Sequence, residues 1–151
     1  MVPTVFLDYC VLNDSLRDAA VLAKLRRLRK EGAELYTSTT VIGEAIEVLA
    51  EGPLEGQYMF IDLIRDLKVN FLHPRREWLK VQAELDRFLD EKNAQYVPSS
   101  ERAHLAMAMA HRMDIYVTSR PEARTLNGII GLEKMITIID VDRSLEHLQI
   151  K

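Results

Sequence analysis

Short apolar runs alternate with amphipathic stretches from one end of the 151-residue chain to the other, and this alternation constrains the fold more than any other feature. The apolar runs are Val5 to Leu7, Glu34 to Ser38, Val69 to Leu72, Ile115 to Thr118 and Met135 to Asp140. Between them lie stretches with helical spacing: Ser15 to Lys30, Val41 to Ala50, Tyr58 to Leu67, Arg75 to Asp90 and Glu101 to Met113. A run such as Val5-Phe6-Leu7, apolar at consecutive positions, needs shelter on both faces, as a parallel strand between helical layers does. The pattern predicts an α/β fold with a mostly parallel sheet of four or five strands, a three-layer α/β/α sandwich in a single domain spanning 1–151.

Local signals place the element ends. Ser15 with Asp18 reads as a capping box opening the helix that Gly32 ends, and Ser38, Thr39 and Thr40 supply caps for the helix carrying Val41, Ala45, Val48 and Leu49. Gly52, Pro53 and Gly56 break the chain before a helix bearing Met59, Ile61, Leu63, Ile64 and Leu67. Trp78, Leu79, Val81, Leu85, Phe88 and Leu89 are expected to pack inward from the next helix. His73 could serve as a ligand or a base, but a lone histidine there reads first as a polar residue satisfied at a strand end. Lys24, Arg26, Arg27, Arg29 and Lys30 make one helix end basic, as its dipole favours, and read as a solvated face or as a contact for phosphates or an acidic partner.

Composition removes several function classes. With 48% hydrophobic and 28% charged residues the chain has the make-up of an ordinary globular domain. No apolar run approaches the roughly 20 residues of a membrane span, and Met1 to Thr4 lacks the pattern of a signal peptide, so the expected location is the cytoplasm. Cys10, the single cysteine, excludes an internal disulfide and a multi-cysteine zinc site. A formal net charge of −3 argues against coating nucleic acid by bulk electrostatics. Neither a phosphate-cradling glycine-rich loop nor a nucleophile elbow is present.

The candidate chemistry lies in acids. Asp8, Glu44 and Glu101 each fall at the carboxyl end of a strand or in the opening turns of the following helix, the edge where open α/β sheets form their crevice. Asp8 there can hold a hard cation or cap the next helix, and Glu101 is favoured in a first turn by the helix dipole alone. Gathered together, the three would need neutralising. Magnesium or manganese does this well and keeps waters for phosphodiester hydrolysis.

Three segments in this order, Phe6-Leu7-Asp8-Tyr9-Cys10-Val11-Leu12, Ser38-Thr39-Thr40-Val41-Ile42-Gly43-Glu44, and Glu101 to Ala108 followed by Ile115 to Thr118, resemble the PIN domain family and, within it, the VapC-like toxins of toxin–antitoxin systems. The resemblance implies a Mg²⁺- or Mn²⁺-dependent endoribonuclease, commonly a homodimer, held inactive by a small antitoxin. It implies Asp8, Glu44 and Glu101 as metal ligands. The chain departs from the pattern where the chemistry is concentrated: Tyr9 and Cys10 follow Asp8 in place of a small polar pair, Glu101 stands where aspartate is usual, and Arg120 occupies the place of the fourth acid.

Two readings follow. In one, Arg120 contacts the scissile phosphate of an RNA substrate beside a working metal site, and so joins the catalytic set of Asp8, Glu44 and Glu101. In the other, Arg120 pairs with Asp8 or Glu101 in place of the metal, and the protein is a catalytically impaired PIN-fold module that binds nucleic acid or protein. The apolar residues of the middle helices, around Tyr58 to Ile64 and Trp78 to Phe88, could also serve a dimer interface.

Overall fold

The computed structural model describes residues 2–119, 126, 136–140, 142–144 and 146. Its elements run β1 (Thr4–Leu7), α1 (Tyr9–Arg17), α2 (Ala19–Lys30), β2 (Glu34–Ser38), α3 (Thr39–Ala50), α4 (Leu54–Asp66), β3 (Asn70–Leu72), α5 (Arg76–Glu91), α6 (Ser99–Ala110), β4 (Ile115–Val117) and β5 (Thr137–Ile139). The five strands pair in the order β3-β2-β1-β4-β5, all parallel, as the alternating pattern requires. Central β1 has Val5, Phe6 and Leu7 fully buried, and its neighbour β4 buries Ile115, Tyr116 and Val117.

The order of the strands creates the crevice. From β1 the chain steps outward through β2 to β3, then returns past all three to place β4 on the other side of β1. Right-handed crossovers put the helices of the outward steps on one face and those of the return on the other. The packing agrees: α1 touches α2, α3 and α4, while α5 packs chiefly on α6. The reversal falls between β1 and β4, a switch point at whose carboxyl end the flanking connections diverge. Register aligns Phe6 with Tyr116 and Leu7 with Val117, so Asp8 and Thr118 emerge there side by side. Thr37 ties β2 to the same edge by donating its hydroxyl to the Leu7 carbonyl at 2.8 Å.

The stretch from Ser15 to Lys30 is two helices rather than one. Asp18 leaves helical geometry at φ −124°, ψ 106°, ends α1, and accepts the Ala20 N–H at 2.9 Å to start α2. Ser15 is no cap: it lies buried inside α1 and donates to the Leu12 carbonyl at 2.6 Å. Gly32, at φ +101°, makes the left-handed turn after α2 as expected. Several residues assigned to the core face outward instead: Val48, Met59, Ile61 and Leu79 are exposed, and Phe60, Leu63 and Leu67 form the buried row of the α4 segment. The side chain of His73 is exposed, and its carbonyl bonds the His111 ring at 2.8 Å. Among the described residues no helix is long and apolar enough to cross a membrane. The expected segment around Gly128 and Gly131, Met135 at the start of the last expected strand, and most of the tail from Leu145 to Leu148 lie outside the described residues.

Candidate functional site at the carboxyl edge

Asp8 is the hinge between β1 and α1. Its backbone is extended (φ −79°, ψ 171°), so its N–H still reaches the Val117 carbonyl at 3.3 Å and prolongs the β1–β4 ladder. Its side chain caps α1: one carboxyl oxygen accepts the Val11 N–H at 2.9 Å, and the other accepts the Thr118 hydroxyl. Both oxygens are engaged, and the residue is 1% exposed. The capping role and the edge position that the sequence allowed separately are thus held by one side chain.

Glu101 arrives from the opposite face. Pro98 offers no side-chain cap to α6, and a carboxylate in the first turn suits the helix's positive end. At 3% exposure, Glu101 accepts the Tyr116 phenol hydroxyl at 2.6 Å, and its charge acts on the neighbouring Asp8 carboxyl. Burial first, and then the Glu101 charge, hold the Asp8 carboxyl well above its usual range; the bonds from Thr118 and Val11 oppose this without overcoming it. The same burial and the charges of Asp8 and Glu101 raise the Tyr116 phenol well above its ordinary value, keeping it a neutral donor. Its ring is fixed by stacking on Phe6, with centroids 5.3 Å apart and planes 9° from parallel.

Glu44 does not join this pair. Its carboxylate bonds Nε2 of His104, which lies one turn beyond Glu101 on α6 and is buried. The Glu44 charge is felt instead at Tyr9, whose phenol is raised by burial first and then by Cys10 and Glu44, against Arg17. His104 Nδ1 is buried without a hydrogen-bond partner among the described residues. Of the acids expected to converge, Asp8 and Glu101 do so; Glu44 is drawn next door by the imidazole. Arg120 lies outside the described residues.

The donors as arranged do not fit a hydrated hard cation. Magnesium retains most of its waters and takes free carboxylate oxygens. Here Asp8 accepts from Val11 and Thr118, Glu101 accepts from Tyr116, and the pair is buried, at 1% and 3% exposure, which leaves little room for the waters of such an ion. Among the described residues no group of three or more His, Cys, Asp or Glu side chains is disposed to hold a metal. Thr118 and Tyr116 complete the cluster. Their spacing of two on one strand, which puts both on the same face, was the available signal for Tyr116. His104, three residues after Glu101, was legible in the same way from helical spacing.

The sequence matches no protein-family model, and no curated protein matches it. Its fold matches solved structures over nearly the whole chain. A chain of VapBC2 from Rickettsia felis, in a structure bound to a DNA fragment from the promoter of that pair, superposes with a TM-score of 0.74 at 13% identity, covering 91% of this chain and 97% of that one. A chain of VapBC-1 from nontypeable Haemophilus influenzae gives 0.69 at 12% identity, covering 92% and 98%. One of FitAcB from Neisseria gonorrhoeae gives 0.65 at 14% identity, covering 91% and 97%.

Proposed function

The fold is the PIN-like α/β fold of VapC-type proteins, and we propose that this chain works by binding a protein partner of the antitoxin kind and not by metal-dependent hydrolysis. One observation carries this reading. The acids that would gather a cation are already hydrogen-bonded within the protein: Asp8 to Val11 and Thr118, Glu101 to Tyr116, and Glu44 to His104, with Asp8 and Glu101 buried. In such a cluster the acids act as structural polar groups that lock β1, β4, α3 and α6 together. The similar structures are VapBC and FitAcB complexes, which supports a protein partner.

A second reading, a Mg²⁺- or Mn²⁺-dependent endoribonuclease acting on RNA, is favoured by the convergence of Asp8 and Glu101 at the switch point. It assigns Asp8, Glu44 and Glu101 as ligands and Arg120 to the scissile phosphate. It requires water to reach the buried Asp8 and Glu101 and Glu44 to swing away from His104.

Manganese titration by calorimetry separates the two, run on the wild type and on Asp8→Asn with RNA cleavage measured on the same samples. The binding-protein reading expects no saturable manganese heat in either and no cleavage that depends on Asp8. Saturable binding by the wild type that the variant loses, with cleavage lost alongside, would overturn it in favour of the nuclease.

A further inference from the structure

The sheet has a second edge, opposite the acid cluster, and positive charge gathers there. In a parallel sheet each helix that feeds a strand ends at the amino edge, so the turns after α2, α4 and α6 meet the start of β1 in one row. The Glu34 N–H bonds the Pro3 carbonyl and the Asp114 N–H bonds the Thr4 carbonyl, which sets the α2–β2 and α6–β4 turns on either side of β1. Arg26 pairs with Asp66 at 2.9 Å and brings the end of α4 alongside that of α2.

In a chain of net charge −3, residues 26–34, 65–68 and 112–114 hold seven bases against four acids. Each acid is engaged: Glu31 by Arg27, Asp66 by Arg26, Glu34 by the Tyr36 hydroxyl and Asp114 by Thr4. Arg29, Lys30, Arg65, Lys68 and Arg112 form no ion pair among the described residues. The dipole at a helix's carboxyl end favours bases nearby, but it does not account for their backbone. Lys68 and Arg112 take the left-handed turn after their helices, at φ +49° and +56°, where glycine or asparagine fits with less strain. At these two places charge is held against the preference of the chain.

The surroundings select the occupant. On the α3–α4 face Ile46, Val48, Met59 and Ile61 are exposed, Ile61 at 50%, whereas the cleft of about 540 Å³ at the amino edge, between Arg26, Arg29 and Lys30 of α2 and Asp66 of α4, has Val2 as its one exposed large apolar residue. Attraction there must come from charge. A polyelectrolyte releases a condensed counterion for each phosphate neutralised, a gain that a sparsely charged acidic peptide does not share. Guanidinium groups also match phosphate oxygens two at a time. Strands lie about 4.8 Å apart, so the row from β3 to β4 is roughly 14 Å long, enough for successive phosphates of one strand.

We propose that the amino edge is a docking surface for the phosphodiester backbone of a nucleic acid. The inference does not depend on either reading of the acid cluster.

The probes are a labelled single-stranded RNA and the DNA of the same sequence, beside a labelled polyglutamate of equal charge, all titrated in EDTA so that no metal-dependent cleavage intervenes. Fluorescence anisotropy is expected to show saturable binding of RNA, DNA or both, and a preference between them identifies the strand. The triple variant Lys30→Ala/Lys68→Asn/Arg112→Asn changes exposed residues only and puts asparagine where the turn is left-handed, so it should fold as the wild type does. It should lose about tenfold or more in affinity, and the slope of log affinity against log salt should shrink by about 2, at roughly 0.7 per phosphate contact. Arg76→Gln/Lys80→Gln/Arg87→Gln removes the same charge from exposed positions of α5 and should stay within about twofold of the wild type. No saturable binding, equal binding of polyglutamate, affinity unmoved by the amino-edge variant, or an equal loss in the α5 variant would each overturn the proposal. Manganese binding with Asp8-dependent cleavage would instead overturn the metal-free reading and leave the amino-edge assignment standing.

Discussion

The carboxyl edge and the α3–α4 face invert the usual distribution of polar and apolar groups. At the edge, two carboxyls and a phenol are buried together, the phenol bonded to Glu101 and Asp8 to Thr118 and Val11. On the face, aliphatic and aromatic side chains stand in water beside acids that form no ion pair among the described residues. Polar groups closed on themselves stabilise and specify, whereas apolar groups left open wait for something to cover them. The contrast places interaction on the open face and structure at the closed edge, although the edge is where an α/β fold ordinarily binds its ligand. It predicts that mutation at the edge changes stability strongly and that mutation on the face changes it little.

Tyr116 gives the largest effect. Tyr116→Ala removes a fully buried ring stacked on Phe6 and should cost about 3–5 kcal/mol, read as a fall in the urea midpoint. Tyr116→Phe keeps the ring and removes only the donor to Glu101, leaving a buried acceptor short of its bond; about 1–2 kcal/mol is expected. A Phe variant as stable as the wild type would mean that the edge cluster is not closed as described.

Asp8 supplies a pH test whose sign differs from that of an ordinary carboxylate. Its folded pKa lies well above the unfolded value of 3.8, so between those two values the native state holds the extra proton. Stability is therefore fully kept at pH below the unfolded value and is lost as pH rises through the folded one. Asparagine keeps an oxygen for the Val11 N–H and never ionises. The melting temperature of Asp8→Asn relative to the wild type should then climb from pH 4 upward and level off above the folded pKa. A flat difference, or one favouring the wild type at higher pH, would show that Asp8 is ionised in the fold.

How much of this was legible depended on whether neighbours in space were also neighbours in pattern. The strands were, because a buried parallel strand needs an apolar run and little else, as Val5 to Leu7 in β1 shows. The break at Asp18 was hidden because the apolar spacing continues across it, and only the side-chain bond to Ala20 reveals two helices. At the edge, Asp8 and Glu101 were found from topology. The partner of Glu44 was not, since nothing in the chain says that His104, 60 residues away, will face it. On α4, amphipathic spacing could not distinguish a residue facing the core from one facing an absent partner, so Met59 and Ile61 were placed inside with Leu63.

The smallest expected effect is the sharpest test of the contrast. Ile61 would be a core position if α4 packed as its spacing first suggests, and Ile→Ser would then cost several kcal/mol in lost burial and a stranded hydroxyl. Half-exposed as it is, the residue has already forfeited much of that burial, and the new hydroxyl would remain in water. Ile61→Ser should therefore move stability by no more than about 0.5 kcal/mol, the range of surface substitutions, in the same urea titration that reports Tyr116→Ala. Should the variant unfold as readily as Tyr116→Ala, the face is covered in solution before any partner arrives. A concentration-dependent midpoint in the wild type would then identify a second copy as the cover.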